Sequence, residues 1–175
     1  LKDTALAKET QLSSEELEFE TASKLNRKIA EAALTMLKGS EESISDFKNE
    51  NYCTLTIKRY NNDQTEKELK DAVDVMKTEI KDEDYILLLL TPQQIKPTNN
   101  FGFIQEELDF INDTIKTKKT VLYHFGNPYA LQKINTKNTI ATVIAYQDFK
   151  EFQDVATLHF QGKVKAKGKL PFSKI

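Results

Sequence analysis

Apolar positions along the chain repeat with two periods, near 3.6 and near 2 or less, and the alternation of those periods sets the expected elements. Leu25, Ile29, Ala32, Ala33, Met36 and Leu37 keep helical spacing behind a capping box formed by Ser13 and Glu16, and Gly39 is a natural stop. Residues 40–50, rich in Ser, Glu, Asp and Asn, read as a connector. Residues 52–57 are β-branched and strand-like. Thr65 and Glu68 form a second capping box, opening a helix whose Leu69, Ala72, Val73, Met76 and Ile80 share one face. Residues 85–90 are continuously apolar and short, the pattern of a central strand covered on both faces.

After a polar loop over residues 91–100, Ile104, Leu108, Ile111 and Ile115 recur at helical spacing. Residues 121–125 read as a strand. The turn Gly126-Asn127-Pro128 ends it, because Gly accepts positive φ and Pro cannot continue a central strand. Residues 139–146 form the next strand, and Asp148 with Glu151 opens a last helix that carries Phe152, Val155, Ala156 and His159 on one face and stops at Gly162. Strands alternating with helices are βαβ units, and right-handed crossovers lay such strands parallel with helices on both faces. The expected fold is therefore an open, mostly parallel α/β sandwich of flavodoxin-like type over residues 51–175. Residues 1–50 are expected to be a helix and connector leading in from another domain. Segments leaving the carboxyl ends of the strands gather on one rim in such sheets, and here those segments are 91–102, 126–129 and 146–148.

Composition narrows the function classes. With 175 residues, 39% hydrophobic and 30% charged, the chain is a folded domain, too short for a complete (β/α)8 barrel of about 250 residues. Its longest apolar run, 86–90, is far below membrane-spanning length, so no membrane partner is expected. The single Cys53 excludes an intramolecular disulfide framework without separating an exported from a cytosolic compartment. The net charge of −2 is unevenly spread: residues 114–175 hold 11 basic and 3 acidic side chains, and the preceding residues are acidic. A basic third can bind polyanions, but it can equally pair with the acidic part of its own fold, and no nucleic-acid partner is expected. A start at Leu1, with neither an initiator Met nor a signal-peptide pattern, points to a processed chain or a piece of a longer one.

The five glycines form neither phosphate-binding pattern, and no Gly-x-Ser-x-Gly elbow occurs. His124 and His159 have no His or Cys at ligand spacing, so neither a metal nor a cofactor is expected. His159, on an apolar helix face, reads as a hydrogen-bonded core residue. His124, at the carboxyl end of a strand, is a candidate for a functional contact. Glu106, Asp109, Asp148 and Glu151 are read first as helix-start residues favoured by the dipole, ahead of a glycosidase pair. Lys163, Lys165, Lys167 and Lys169 alternate as on the solvated side of an edge strand or extended arm. The loops 97–102 and 126–129 hold Asn and aromatic residues suited to turns, to sugar hydroxyls and faces, or to another domain.

Several segments together resemble the C-terminal α/β domain of family 3 glycoside hydrolases, particularly the β-N-acetylglucosaminidase branch. They are Glu31-Ala32-Ala33-Leu34-Thr35-Met36-Leu37-Lys38, the apolar run 85–90, and Asn100-Phe101-Gly102 with Gln105-Glu106-Glu107-Leu108-Asp109-Phe110. Phe125-Gly126-Asn127-Pro128-Tyr129-Ala130-Leu131, Ala145-Tyr146-Gln147-Asp148 and Gly168-Lys169-Leu170-Pro171 continue the likeness, which is nearly unbroken from 84 to 175. The resemblance implies a two-domain enzyme whose preceding (β/α)8 barrel carries the carboxylate nucleophile and a His-Asp acid/base pair. None of those residues lies in this chain. In the β-glucosidase branch a Glu of the C-terminal domain is the acid/base, and no segment here matches it. The residues carried over are Asn100, Phe101, Gly102, Gly126, Asn127, Pro128 and Tyr129, expected to dock or shape the barrel, with sugar contact second. The chain departs from the family by reaching residue 52 through a short polar connector, one βα unit short of the usual pattern. The function this implies is that of a noncatalytic domain supporting a barrel of the same polypeptide in hydrolysis of amino-sugar glycosides; cell-wall chemistry of that kind points to an exported or periplasmic location and leaves a cytoplasmic one open. The alternative is a carbohydrate-binding or interaction module without hydrolase activity.

Overall fold

The computed structural model describes residues 14–58, 64–92 and 96–170. In chain order the elements are α1 (Ser14–Ala33), β1 (Thr35–Lys38), α2 (Glu41–Lys48), β2 (Tyr52–Lys58), α3 (Glu66–Glu79), β3 (Tyr85–Thr91), α4 (Gln105–Thr117), β4 (Lys119–His124), β5 (Ala141–Ile144) and α5 (Lys150–Phe160). Short 3₁₀ turns occupy Thr98–Gly102, Pro128–Lys133 and Thr136–Asn138. No described helix is long and apolar enough to cross a membrane.

The strands form one sheet in the order β1-β5-β4-β3-β2, parallel except for β1, which runs antiparallel to β5 with Thr35 opposite Ile144 and Met36 opposite Val143. This is the expected α/β sandwich, mostly parallel, with helices on both faces. The faces are built by different routes. From β2 to β5 the strands are laid down in sequence order, without a reversal, so right-handed crossovers keep α3 and α4 on the same face. There Val73, Ile80, Leu108, Ile111 and Ile115 pack on Leu55, Ile86, Leu88 and Leu122. The second face is covered by α1, α2 and α5, with Ala30, Leu34, Phe47, Val155 and Ala156 against Val121, Tyr123, Ala141 and Val143.

Coverage of that second face is incomplete. Phe47 of α2 meets Tyr52 and Tyr85, the first residues of β2 and β3, and α5 packs with α1 on the β4–β5 side. No described helix crosses the carboxyl halves of β2 and β3. Thr54 and Thr56 are exposed there and Leu89 is only half-buried, so the expectation of cover on both faces holds for the middle of β3 and not for its end.

Two expected elements change. The helix read through residue 37 ends at Ala33, and Thr35–Lys38 becomes the edge strand β1, because β5 offers an open hydrogen-bonding edge that the segment completes. The predicted stripe on α1 is also reversed in sense: Leu25 and Ile29 face solvent at 57% and 47% exposure, and Ala30 and Leu34 face the core. The connector expected over residues 40–50 contains α2, capped reciprocally by Ser40 and Ser43, with Ile44 and Phe47 buried. The expected Ser13 cap lies outside the described residues. Thr65 and Glu68 form the expected box on α3, where the Glu68 carboxylate accepts the Thr65 N–H at 2.7 Å.

After α5 and Gly162 (φ +79°) the chain becomes the expected extended arm. Lys163, Lys165, Lys167 and Lys169 are exposed, while Val164 and Ala166 pack on the second-face core. The arm is fixed where Gly168 N–H donates to the Leu34 carbonyl at 2.8 Å.

Candidate functional site: the carboxyl rim

The register brings Leu90, His124 and Ile144 level at the ends of three adjacent parallel strands. Phe125 N–H donates to the Leu90 carbonyl at 2.7 Å and Ala145 N–H to the His124 carbonyl at 2.9 Å, so the ladder continues past the strand ends. The three segments that follow therefore leave side by side, as the parallel pattern requires. The 3₁₀ turns Thr98–Gly102 and Pro128–Lys133 lie in contact.

The first loop holds an unusual backbone. Asn99, Asn100, Phe101 and Gly102 are all left-handed, with φ of 52°, 51°, 58° and 87°. Asn tolerates that region comparatively well, but a bulky aromatic does not, and such a residue costs on the order of 1–3 kcal/mol. Burial holds Phe101 in place: its side chain is 2% exposed within the first-face core. The loop is thus anchored through its most strained residue, leaving Pro97, Thr98 and Asn99 exposed.

The second loop is tied from within. The Asn127 side-chain oxygen accepts from Tyr129 N–H at 3.0 Å, the Asn127 carbonyl accepts from Ala130 N–H at 3.0 Å, and Pro128 starts the 3₁₀ turn. Ala130 and Leu131 are buried, and Tyr129 stands out at 43% exposure. Gly126 does not take the positive φ expected of it. Its role is steric: a Cβ there would lie 2.7 Å from Pro92 Cγ, so the missing side chain lets the β3 and β4 exits approach each other.

His124 is wholly buried beneath these loops, on the first face by strand alternation. Nε2–H donates to the Asn127 carbonyl at 2.9 Å, and Nδ1 is buried with no partner among the described residues. Burial outweighs that hydrogen bond and pulls its pKa down to about 4, so the ring is neutral at pH 7. The candidate contact residue is therefore an internal brace for the turn.

The third segment crosses toward the opposite edge. The Tyr146 hydroxyl bonds Thr35 Oγ1 at 3.0 Å. Asp148 does not cap α5. It pairs with Lys58 of β2 at 2.6 Å and accepts from Gln153 Nε2 at 2.6 Å, and α5 starts behind Phe149 with no side-chain cap.

The other candidate carboxylates are likewise engaged. Glu106 meets Lys70 of α3 at 2.8 Å, which holds its carboxyl below the usual range, and Asp109 accepts from Gln105 at 2.8 Å. Ser23 of α1 does the same for Glu151. Glu107 was not singled out by the sequence, yet it is 3% exposed and accepts Ile104 N–H at 2.9 Å at the start of α4. The i, i+3 placement of a Glu after the residue preceding a helix is the signal that marks it.

His159 is the buried core histidine expected. Its Nδ1 lies 2.7 Å from the Tyr123 hydroxyl and its Nε2 3.0 Å from Glu41, which also accepts Ala166 N–H at 3.1 Å. A carboxylate only accepts, so Nε2 carries the hydrogen and Nδ1 accepts from the phenol. Burial first, and Glu41 second, push the Tyr123 pKa well above its ordinary value. The phenol stays protonated, and the three groups fasten α2, β4, α5 and the arm together. No cluster of three or more metal-ligating side chains occurs among the described residues.

No family model matches the sequence, and no curated protein matches it. Among solved structures, the chain is similar to a glycoside hydrolase family 3 beta-N-acetylglucosaminidase from Paenibacillus sp. str. FPU-7, with TM-score 0.58 and 14% identity, over 98% of this chain and 35% of that one. It is also similar to the beta-glucoside phosphorylase BglX, with TM-score 0.52 and 12% identity, over 86% of this chain and 31% of that one. The form of that phosphorylase bound to 2FGlc gives TM-score 0.53 and 14% identity. Identity this low carries the fold alone: the chain has the fold of about a third of each of these glycosidase-type chains, spanning 31–35% of their length.

Proposed function

We propose that this chain is the C-terminal, noncatalytic domain of a family 3 glycoside hydrolase of the β-N-acetylglucosaminidase branch. It docks on a (β/α)8 barrel of the same polypeptide, and the barrel breaks the glycosidic bond of amino sugars. The observation that carries this reading is coverage: 98% of the chain superposes on 35% of a β-N-acetylglucosaminidase, leaving room in that enzyme for a further domain of barrel size. In this reading the rim is the docking surface. Asn100 with Gly126, Asn127, Pro128 and Tyr129 present a contact face, and buried Phe101 and Gly102 act beneath it by fixing the backbone before any partner arrives, which lowers the entropy lost on docking. The chemistry of the chain agrees, since His124 is neutral and enclosed and Tyr123 is held protonated.

The test has two arms. The chain alone should not turn over an aryl N-acetylglucosaminide, and a barrel domain made from the sequence upstream in the same gene should bind it saturably. Tyr129→Glu should weaken that complex at least tenfold, because it places a charge in a desolvated contact. Turnover by this chain that disappears when one of its carboxylates is changed, or failure of the two parts to associate, overturns the reading.

A further inference from the structure

The excess of basic side chains in residues 114–175, 11 against 3 acidic, has two possible fates: pairing with carboxylates of the same fold, or binding a polyanion. The structure separates them. Helix lysines such as Lys67, Lys70 and Lys150 meet carboxylates at 2.7, 2.7 and 2.5 Å. Lys163, Lys165, Lys167 and Lys169 of the C-terminal arm do not. All four are exposed, and no side chain among them has an ion pair or hydrogen bond to the described residues. Glu41, the carboxylate that the arm does meet, is engaged by Ala166 N–H and His159.

The arm is fixed along its length. Gly162 N–H donates to the His159 carbonyl at 2.8 Å and Lys163 N–H to the Leu158 carbonyl at 2.9 Å, which sets the direction in which the arm leaves α5. Val164 and Ala166 then pack on the second-face core, Gly168 is bonded to Leu34, and Leu170 packs on the first-face core. Burial therefore alternates residue by residue from Lys163 to Leu170, and the period of two puts the four ammonium groups on one side of a fixed rail. The ordering entropy that a loose basic tail would lose on binding is already lost in folding.

Spacing and hydrogen-bonding chemistry select the partner. Successive lysines are separated by six backbone bonds, a span of about 7 Å in extended chain. A phosphodiester polymer built on a three-carbon unit also joins neighbouring phosphorus atoms through six bonds, so its charges repeat at about the same interval when extended. The backbone N–H groups of Lys165, Lys167 and Lys169 have no partner among the described residues, which makes the open side of the arm rich in donors. A phosphodiester chain presents acceptors to it, whereas an acidic peptide brings N–H donors of its own. No aromatic residue lies between Lys163 and Leu170, so the arm lacks the stacking platform that holds the bases of a single strand. With Val164 and Ala166 packed on the core, it also lacks apolar side chains to enter a lipid surface.

We propose that the arm from Lys163 to Lys169 binds a linear phosphodiester polymer through its backbone, one phosphate to each lysine. This surface shares no residue with the rim turns at 98–102 and 128–133, and its test does not depend on a barrel being present.

The test is fluorescence anisotropy of the 175-residue chain with a labelled octamer of propane-1,3-diol phosphate, a baseless polymer with the six-bond repeat. Saturable binding is expected between about 20 and 200 mM salt, with log K falling against log salt at a slope of about −3, or about −0.7 for each phosphate engaged. Lys165→Gln with Lys167→Gln should weaken binding at least tenfold and halve that slope. Lys67→Gln with Lys77→Gln, the same loss of charge on α3, should change affinity less than threefold. Both variants alter exposed side chains and leave the packing of the arm in place. An octamer built on hexane-1,6-diol carries equal charge at a longer repeat and should bind at least threefold more weakly. The proposal is overturned if the first octamer does not bind saturably at the lowest salt, if the α3 variant loses as much affinity as the arm variant, or if the longer repeat binds as tightly. Equal affinity for octaglutamate would make an acidic peptide the partner, and oligothymidylate binding at least tenfold more tightly would mean that bases are read. Capture by phosphatidylglycerol vesicles in preference to the octamer would make the surface a membrane contact. Each of these results also overturns the proposal.

Discussion

His124 couples the rim to pH. Its folded-state pKa of about 4 lies below the roughly 6.5 of an unfolded histidine, so between those values the unfolded chain takes up a proton that the native state refuses. The corresponding stability is complete above about pH 6.5, declines as pH falls, and is gone by about pH 4, a loss on the order of 3 kcal/mol. Urea denaturation at pH 7 and pH 4 should show this loss in the parent and a much smaller one in His124→Gln, with His159, also pulled down by burial, supplying part of what remains. Equal losses in parent and variant would refute the assignment. Gly126 acts through contact: Gly126→Ala drives a Cβ into the Pro92 ring and should cost about 1–3 kcal/mol, or roughly 2–12 °C in Tm. Pro92→Ala in the same chain should recover much of that loss, since the two positions share one contact. The sequence singled out His124 and Gly126, but it assigned Gly126 a positive φ that the structure gives to Asn99, Asn100, Phe101 and Tyr146 instead. The left-handed run 99–101 leaves no sequence signal, because only buried packing around Phe101 makes that conformation tolerable.

At the level of elements, the strong amphipathic patterns translated directly. The boxed helix α3, the helix α4 and strands β2 to β4 lie where the spacing put them, because each buries its apolar face locally and needs no distant partner to define it. The segment after Ala33 shows the limit. Leu34-Thr35-Met36-Leu37 carries apolar residues compatible with either period, and pairing with β5, more than a hundred residues away, makes it a strand. Helix α2 escaped notice because only Ile44 and Phe47 mark its buried side. The C-terminal arm offers an experiment at this scale. A Cβ on residue 168 would fall 2.1 Å from the Ala33 carbonyl oxygen, so Gly168→Ala should detach the arm from α1, costing on the order of 1–3 kcal/mol. Amide exchange at Ala166 and Gly168 should accelerate at least tenfold while Leu88 and Leu122 stay protected. Unchanged exchange at Ala166 would show that the Glu41 contact holds the arm by itself.

Across the whole molecule, strand order governs both the carboxyl rim and the uncovered corner of the second face. Parallel neighbours ending level bring three exits to one rim, and sequence-order winding leaves one corner of the second face bare. Native-state hydrogen exchange should therefore be graded across the sheet, slowest at Leu88 and Leu122 and at least tenfold faster at Thr54 and Thr56 on the wet edge. Uniform protection from β2 to β4 would contradict the bare corner. The sequence by itself determined the class of fold, the alternation of helices and strands, and the segments that meet at the rim, because hydrophobic period and turn chemistry are local properties. Only the tertiary structure decided that β1 closes the sheet in the antiparallel sense, that His124 is a brace enclosed in the core, and that Lys58 meets Asp148 across an open groove. Each of those depends on contacts between residues far apart in the chain, whose proximity is fixed by the order in which strands are laid into the sheet.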